Sequence, residues 1–211
     1  MSLFTLNKVA APSTPAANKA ILYIDQATAP YLRMKNEAGT DLIVSGIMNQ
    51  STVGQAPAAA TRTYVTGSNL LIPTVKLQVG ACFEWTMHIT KTGAGTAAST
   101  FDVCVGTAGT TADTARLSFT KPAGTAVIDD GIFTIKATVK TAGASGILVG
   151  SFWMIHNLQT TGHAVIPCVV VPNTSGAFDM TVANLIVGVC VTSGTADAIT
   201  ITQVHSNGWN L

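Results

Sequence analysis

The chain has 211 residues, of which 47% are hydrophobic and only 10% are charged, and its formal net charge is +1. A typical soluble domain has about 25% charged residues, so we expect much of this surface to lie in subunit contacts. The 11 Lys and Arg residues are spread thinly, which argues against a nucleic-acid partner. No apolar run reaches the ~18 residues of a spanning helix, so no membrane insertion is expected.

The first 20 residues are rich in Pro, Ala, Ser and Thr and contain no apolar core of signal-peptide length. They predict an extended arm on a protein made in a cytoplasm. Short strands are predicted at 21–24, 31–34 and 42–44, with turns between them. A meander this small excludes too little surface from water to form a core of its own, so it must pack on a partner. Residues 1–50 are therefore interpreted as an attachment segment, and the Gln-, Ala- and Pro-rich residues 51–60 as a linker.

The apolar residues of this segment are the candidates for contact with a partner, because exposed apolar surface is unusual unless it binds something. Short strands with open edges also invite pairing with a partner's sheet. The candidate attachment residues are Phe4, Leu6, Val9, Ile21, Tyr23, Ile24, Tyr31, Leu32 and Met34.

The stretch 80–106 carries the clearest strand pattern of the chain. Apolar and polar residues alternate over 81–90 and again over 100–105, so each segment predicts a strand with one buried face. The Gly-, Ala- and Ser-rich residues 93–99 favour a turn, and the two strands are predicted to form a long hairpin. The buried face of such a hairpin needs a second sheet to cover it.

From residue 61 onward, short strand-like segments follow one another with turn residues between them, and helical periodicity is lacking. Such a series over about 150 residues is typical of a two-sheet sandwich, most often a jelly roll. The predicted fold is all-β: an N-terminal extended arm with a short β-meander, then an antiparallel β-sandwich head of jelly-roll type over residues 61–211. The predicted strands of the head are at 63–65, 75–79, 81–90, 100–105, 115–120, 132–140, 147–156, 164–170, 178–182, 185–192 and 199–205.

Two of these segments, 147–155 and 185–191, are apolar on both faces. Strands of this kind are buried on both sides, either deep in a sandwich or at a subunit interface. Together with the low charge, they predict an oligomer. The candidate interface residues are Ile147, Val149, Trp153 and Ile155.

The histidines show no short ligand spacing such as His-Glu-x-x-His. His156 and His163 flank a turn, where a pair could bind a metal or meet its symmetry mates on a trimer axis, but satisfied or solvated side chains are favoured. Four aspartates could either form turns or meet at a calcium site, and the turn-forming role is favoured. The aspartates considered are Asp102, Asp113, Asp129 and Asp130.

Catalytic signatures are also lacking. No Gly-x-Ser-x-Gly motif occurs, and only two Glu residues are present for a glycosidase pair. We therefore predict a protein that is not an enzyme and that has no cofactor and no metal. Trp85 and Trp153 alternate with apolar neighbours and are predicted to pack in the core, whereas Trp209 is predicted to pack at the domain edge.

The cysteines lie within predicted strands and form no Cys-x-x-Cys pair, so a zinc site is not expected. In a protein without an export signal, reduced and buried thiols are favoured over disulfides. We therefore predict no cross-link in the native protein. The four cysteines are Cys82, Cys104, Cys168 and Cys190.

Two regions carry a likeness to a known class of protein. Residues 15–42 contain a predicted strand that ends in Tyr23-Ile24-Asp25, then a strand that leads to a turn from Lys35 to Gly39. Residues 62–211 contain the stretches TYVTGSNLLIP and FEWTMHITKTGAGTAASTFDVCVGTAGTTADTARLSF and the run from Ile199 to Val204. The first region is similar to the virion-attachment segments of phage fibres. The second resembles the compact β-sandwich heads, usually trimeric, of virion structural proteins of tailed bacteriophages.

The resemblance implies a non-enzymatic virion protein that is made in the host bacterial cytoplasm. It would be a trimeric capsid-decoration or head-fibre protein, docked on the major capsid protein or another virion protein by its N-terminal arm. The alternative is a receptor-binding tail-fibre tip, an adhesin that recognises a host cell-surface glycan. Such tips usually stand on long shafts, so the short linker at 51–60 favours capsid decoration.

Overall fold

The computed structural model describes residues 8–25, 32–35, 37–38, 41–43, 46–72, 77–164, 171–194 and 198–211. These residues contain no helix, and their strands form three sheets. The all-β class and the sandwich of antiparallel sheets are confirmed. The strands are β1 (Lys8–Val9), β2 (Ile21–Asp25), β3 (Leu32–Lys35), β4 (Asp41–Ile43), β5 (Ile47–Ser51), β6 (Arg62–Tyr64), β7 (Leu70–Leu71), β8 (Cys82–Lys91), β9 (Ser99–Gly106), β10 (Thr114–Lys121), β11 (Asp129–Thr141), β12 (Ile147–His156), β13 (Val171–Thr174), β14 (Ile186–Thr192) and β15 (Ile199–Trp209).

A small N-terminal sheet has the order β1-β2-β3-β4, with β1 parallel to β2 and the other pairs antiparallel. The sandwich consists of two antiparallel sheets. One has six strands in the order β13-β12-β11-β8-β15-β5. The other has the order β10-β9-β14-β6, and β7 also pairs with β14.

The strand pairing within the sandwich is nested. β5 pairs with β15, β6 with β14, β8 with β11 and β9 with β10. The chain therefore runs as one long hairpin that folds across itself, with β9 and β10 at its closed end. Further pairing of β15 with β8 and of β14 with β9 joins the strands into the two sheets.

The core lies between the two sheets and is rich in aromatic side chains. The Phe101 ring centroid on β9 is 5.5 Å from those of both Phe133 and Phe152 on the opposite sheet. Trp85 is fully buried, as predicted, and its indole N–H donates to the Ser68 carbonyl oxygen at 2.7 Å. Trp153 is not in the core, so that prediction is wrong: its strand buries Phe152 and Met154 instead and turns Trp153 to the other face.

The predicted hairpin of 81–90 with 100–105 is wrong, although both strands exist. β8 belongs to the six-stranded sheet and β9 to the other, and the residues between them carry the chain from one sheet to the other. Each strand buries its apolar face against the opposite sheet. Alternation identifies the buried face of a strand but carries no information about its hydrogen-bonded neighbour.

The head includes residues that were assigned to the arm and the linker. β5 is the edge strand of the six-stranded sheet, with Ile47 buried opposite Gly208 and Ser51 buried opposite Val204. Beyond it, Gln55 bridges Ile201 and Ala59 bridges Ser193. The strand pairing of β5 and these bridges therefore place the start of the sandwich near residue 47, whereas residue 61 was predicted.

Most predicted head strands match observed ones to within a few residues. The predicted strand at 178–182 is wrong: Phe178 makes a single bridge to Gly146, and Asp179 accepts hydrogen bonds from the amide and hydroxyl of Thr181 in a turn. Residues 77–79 form a loop and a turn, whereas 75–76 and 165–170 lie outside the described residues.

Candidate functional site

The six-stranded sheet has one face against the core and one turned away from it, which we call the outer face. All four predicted interface residues lie on the outer face of β12, because side chains along a strand alternate between faces. Ile147, Val149 and Trp153 are half-buried, and Ile155 is 65% exposed. The structure thus brings the four side chains to a single surface.

Exposed apolar residues continue onto the neighbouring strand. Ile132 of β11 lies directly opposite Ile155 and is 40% exposed. The ammonium of Lys136 lies 5.5 Å from the ring centroid of Trp153 and 2.7 Å from the Glu84 carboxylate. We call Ile132, Trp153 and Ile155 the apolar corner of the outer face. Contiguous exposed apolar surface is a mark of interaction sites.

The opposite half of the outer face, on β5 and β15, is polar. Its register places Gln50 beside His205 and Met48 beside Asn207, and these residues line a shallow cavity of about 370 Å³. Within the described part of the chain, no protein group hydrogen-bonds to the side chains of Gln50, His205 and Asn207. Trp209 follows on the same face and is 42% exposed.

The N-terminal sheet contains the described part of the predicted attachment segment. Leu22 lies opposite Met34 and Ile24 opposite Leu32, so the register groups apolar positions on one face. Leu22 is 43% exposed, and Ile24 and Met34 are half-buried. Tyr23 lies on the other face and is buried.

The other five attachment candidates do not lie on this apolar face or are not described by the structure. Ile21 is half-buried on the same face as Tyr23, and Val9 belongs to β1. Phe4, Leu6 and Tyr31 lie outside the described residues. Among the described residues, the strands of this sheet pair only with one another.

A buried polar cluster closes one end of the sandwich, with Asp129 at its centre. Asp129 Oδ2 interacts with His156 Nδ1 at 2.7 Å and accepts from the His163 amide at 2.9 Å. Oδ1 accepts from the amides of Asp130 and Leu158 at 2.9 and 3.3 Å. Burial alone raises the pKa of Asp129, but the hydrogen bonds from His163 and His156 outweigh it, so this pKa lies below its usual value.

His163 is fully buried, with Nε2 3.2 Å from the Ile89 carbonyl oxygen and its ring edge-on to Phe133. Burial lowers the pKa of His163 to about 4, so the ring is neutral at neutral pH. The ring centroids of His156 and His163 are 6.0 Å apart. The pair is thus brought together, but inside the sandwich, where it cannot meet symmetry mates on a trimer axis.

Among the described residues, no group of three or more His, Cys, Asp or Glu side chains could hold a metal ion. The aspartates considered for calcium form no such group. Asp102 lies within β9, and Asp129 and Asp130 lie at the start of β11, so the prediction of a turn-forming role is wrong for these three. Asp113 accepts from the amides of Ala108 and Gly109 at 3.0 and 2.8 Å, so its predicted turn-forming role is confirmed. The Asp129–His156 pair resembles part of a nucleophile triad, but both side chains are at most 1% exposed, which denies access to a substrate.

Two buried lysines close the same end of the sandwich. Carbonyl oxygens replace the water around each ammonium, which offsets the cost of burying the charge. Lys91 and Lys121 occupy the next inward-facing positions in the alternation of β8 and β10. The two-residue period of these strands could therefore have predicted that both lysines are buried. The acceptors are the carbonyl oxygens of Thr92, Thr125 and Val127 for Lys91, and of Ala97, Pro122 and His163 for Lys121.

A second polar cluster lies on the side of the other sheet that faces away from the core, beneath Arg62. Its Nη1 donates to the carbonyl oxygens of Thr111 and Asp113, both at 3.1 Å, and Nη2 donates to Cys104 Sγ at 2.8 Å. Nε lies 3.4 Å from the Asp102 carboxylate. Arg62 therefore ties the edge strand β6 to the loop after β9. Sequence reasoning missed this cluster because its members are far apart along the chain.

No family model matches the chain, and no curated protein matches it. The described residues contain no helix that is long and apolar enough to cross a membrane. Functional assignment therefore rests on the surfaces and clusters described above.

Proposed function

We propose that this protein is a non-enzymatic structural protein of a tailed-bacteriophage virion. In this proposal it is a trimeric capsid-decoration or head-fibre protein, and its N-terminal segment docks on the major capsid protein or another virion protein. The observation that carries the proposal is the apolar corner of the outer face, an exposed apolar surface on the sandwich. The resemblance of residues 15–42 and 62–211 to phage fibre and decoration proteins supplies the class.

The nested pairing of the sandwich supports a jelly-roll head. In a jelly roll, two Greek keys arise when one long hairpin folds across itself. The pairs β5 with β15, β6 with β14, β8 with β11 and β9 with β10 have this arrangement. β12 and β13 extend the six-stranded sheet beyond β11, and β12 carries the four candidate interface residues.

The proposed trimer buries the apolar corner between subunits. Ile132, Trp153 and Ile155 would form the apolar centre of each contact, and the Lys136–Glu84 pair would lie at its polar rim. Placing a charge at the centre of such a contact desolvates it without a partner and separates the subunits.

Substitution of Ile155 by Lys tests this arrangement, with Val53→Lys as a matched control. Ile155 is 65% exposed and Val53 is 70% exposed, so neither change disturbs the core. Light scattering at micromolar concentration should give a trimer for the natural chain and for V53K, and a folded monomer for I155K. A monomeric natural chain, or an I155K protein that stays trimeric, would contradict the proposal.

The proposed attachment role of the N-terminal sheet predicts a second result. A head that lacks residues 1–45 should stay folded, because β5 is kept, but should no longer co-sediment with phage particles that lack the full-length protein. The full-length chain added in parallel should bind them. Full occupancy by the truncated head would refute an attachment role for this sheet.

The alternative, a receptor-binding tail-fibre tip that recognises a host glycan, is favoured by the polar half of the outer face. Amide and imidazole groups at Gln50, His205 and Asn207 beside the exposed ring of Trp209 suit the hydroxyls and apolar faces of a sugar. Saturable binding of a surface polysaccharide that is lost in Asn207→Ala would favour this function over capsid decoration.

A further inference from the structure

Met48 is the most exposed of the large apolar side chains that the structure describes, with 80% of its surface accessible. It is the second residue of β5 and lies on the outer face. Ile47 and Ser51, at the two ends of the strand, are buried. The Asn49 side chain donates to the backbone and side-chain oxygens of Asn69, at 2.8 and 2.7 Å. The strand is thus fixed in the sandwich and holds the Met48 thioether out into solvent.

The other methionines are less accessible than Met48. Those of the sandwich, Met87, Met154 and Met180, are at most 1% exposed, and Met34 of the N-terminal sheet is half-buried. Conversion of a thioether to a sulfoxide requires direct contact between the sulfur and the oxidant. A dissolved oxidant therefore reaches Met48 before it reaches the buried methionines.

The residue opposite Met48 offers a hydrogen-bond donor. The register of β5 against β15 places Asn207 directly across from Met48, and side chains at such positions have Cβ atoms about 4.5–5.5 Å apart. In the described part of the chain, no protein group accepts a hydrogen bond from the Asn207 amide. A thioether sulfur is a weak acceptor, whereas a sulfoxide is a polar group with a strong one. Oxidation of Met48 would therefore create an acceptor beside an amide that can donate to it.

We propose that Met48 is a site of oxidation by peroxides and that Asn207 holds the resulting sulfoxide. With hydrogen peroxide, a lone pair of the sulfur attacks one oxygen, the S–O bond forms, and the O–O bond breaks. The departing hydroxide takes the proton of the transferred oxygen and leaves as water. The sulfur loses two electrons, and the peroxide gains them.

This inference does not depend on the proposed role in a virion. The apolar corner contains no methionine, so the proposed trimer should survive the treatment that oxidises Met48. The polar half of the outer face, in contrast, would lose an apolar contact beside its cavity. If that half binds a glycan, as in the alternative function, oxidation should weaken the binding. Unchanged binding would count against the glycan site and leave the oxidation site standing.

The test is to treat the native full-length protein with hydrogen peroxide, quench samples with free methionine, and follow each methionine peptide by mass spectrometry. The Met48 peptide should gain one oxygen atom several-fold faster than the peptides of Met87, Met154 and Met180. In urea, the four rates should become similar. Equal rates in the native protein, or protection of Met48, would overturn the proposal.

Nuclear magnetic resonance of the side-chain amides tests the contact with Asn207. Oxidation of the natural chain should shift the amide proton resonances of Asn207. Met48→Leu keeps the apolar bulk of the side chain but has no sulfur to oxidise, so the same treatment should leave these resonances in place. Unchanged resonances in the natural chain, or equal shifts in both proteins, would show that Asn207 does not hold the sulfoxide.

Discussion

Asp129 shows at the scale of one residue how a buried carboxylate organises its surroundings. Its two oxygens satisfy groups from the start of β11, the end of β12 and the turn that follows. An amide in its place presents an NH₂ group to donors and leaves them unpaired. Hydrogen bonds to a charged group contribute about 1.5–3 kcal/mol each in net terms, and their loss leaves buried donors unsatisfied.

We expect Asp129→Asn to lower the free energy of unfolding by about 3 kcal/mol at neutral pH. The neighbouring Asp130 is exposed, so Asp130→Asn is the matched control and should change it by less than about 0.5 kcal/mol. Urea unfolding followed by tryptophan fluorescence measures both values. Equal effects of the two substitutions would show that the buried network does not stabilise the fold.

The stability of the sandwich should also fall as the solution is made mildly acidic. His163 has a folded pKa of about 4, below the ~6.5 of a histidine in an unfolded chain. Between these values the unfolded chain binds the proton more readily, so this contribution is complete above about pH 6.5 and is lost as the pH falls towards 4. Asp129, whose pKa is lowered, loses its contribution only in stronger acid.

Urea unfolding from about pH 7.5 to about pH 4.5 should therefore show a decline of at most ~1.4 kcal/mol per pH unit from this one proton. His163→Asn should be less stable at neutral pH and show a shallower decline. His88→Asn is the control, because His88 is exposed on the outer face and lies outside this buried cluster. A flat profile for the natural chain would contradict the burial of a neutral His163.

At the scale of elements, β5 lies in close contact with the turn before β7. An added Cβ on Gly67 would lie 2.6 Å from the backbone of Gln50 and Ser51. Gly67 also has a positive φ of 84°. Gly143 has a similar φ of 97°, but nothing lies within 4 Å of its added Cβ. Substitution at the two positions therefore distinguishes the cost of backbone strain from the cost of a steric clash with β5.

Gly143→Ala should cost about 1 kcal/mol of stability through its backbone conformation alone. Gly67→Ala should cost at least ~2 kcal/mol more, because β5 has to move away from the turn. Chemical denaturation of both variants gives the comparison. Equal costs would mean that β5 is not held against this turn.

The sequence predicted the buried faces of strands better than their neighbours. Alternating residues located β8, β9 and β11, but pairing depends on which chain segments meet in space, and local pattern does not encode this. β5 escaped prediction because Asn49 and Gln50 interrupt its alternation with polar side chains that face the surface and the turn at Asn69.

The candidate interface was foreseeable, and the buried clusters were not. Apolar residues on both faces of β12 marked a strand with a second surface to cover, and the structure places those side chains on the outer face. The Arg62 cluster joins residues that only the folded sheet brings together. In the sequence, Asp129 is not distinguished from the neighbouring Asp130, and its burial follows from the strand and turn packed around it.

At the scale of the whole molecule, the position of β5 gives a sharp expectation for truncation. Removal of residues 1–45 keeps β5 and should leave the thermal midpoint of the head almost unchanged. Removal of residues 1–60 deletes β5, uncovers the edge of β15 and takes Ile47 out of the core. Circular dichroism and size-exclusion chromatography should show a folded first fragment and a strongly destabilised or aggregated second one. Equal stability would place the boundary of the head after residue 60.

The nested pairing also determines when the head can fold during synthesis on the ribosome. The first strand of the sandwich pairs with the last, so the six-stranded sheet is incomplete until β15 has left the exit tunnel. Pairing between such distant segments is slow, typically on the scale of milliseconds to seconds. During that interval, β5 and β8 lack the strand that separates them in the finished sheet, and their open edges can pair with other nascent chains. Assembly of the head is therefore a post-translational event, and crowded polysomes are where its aggregation would begin.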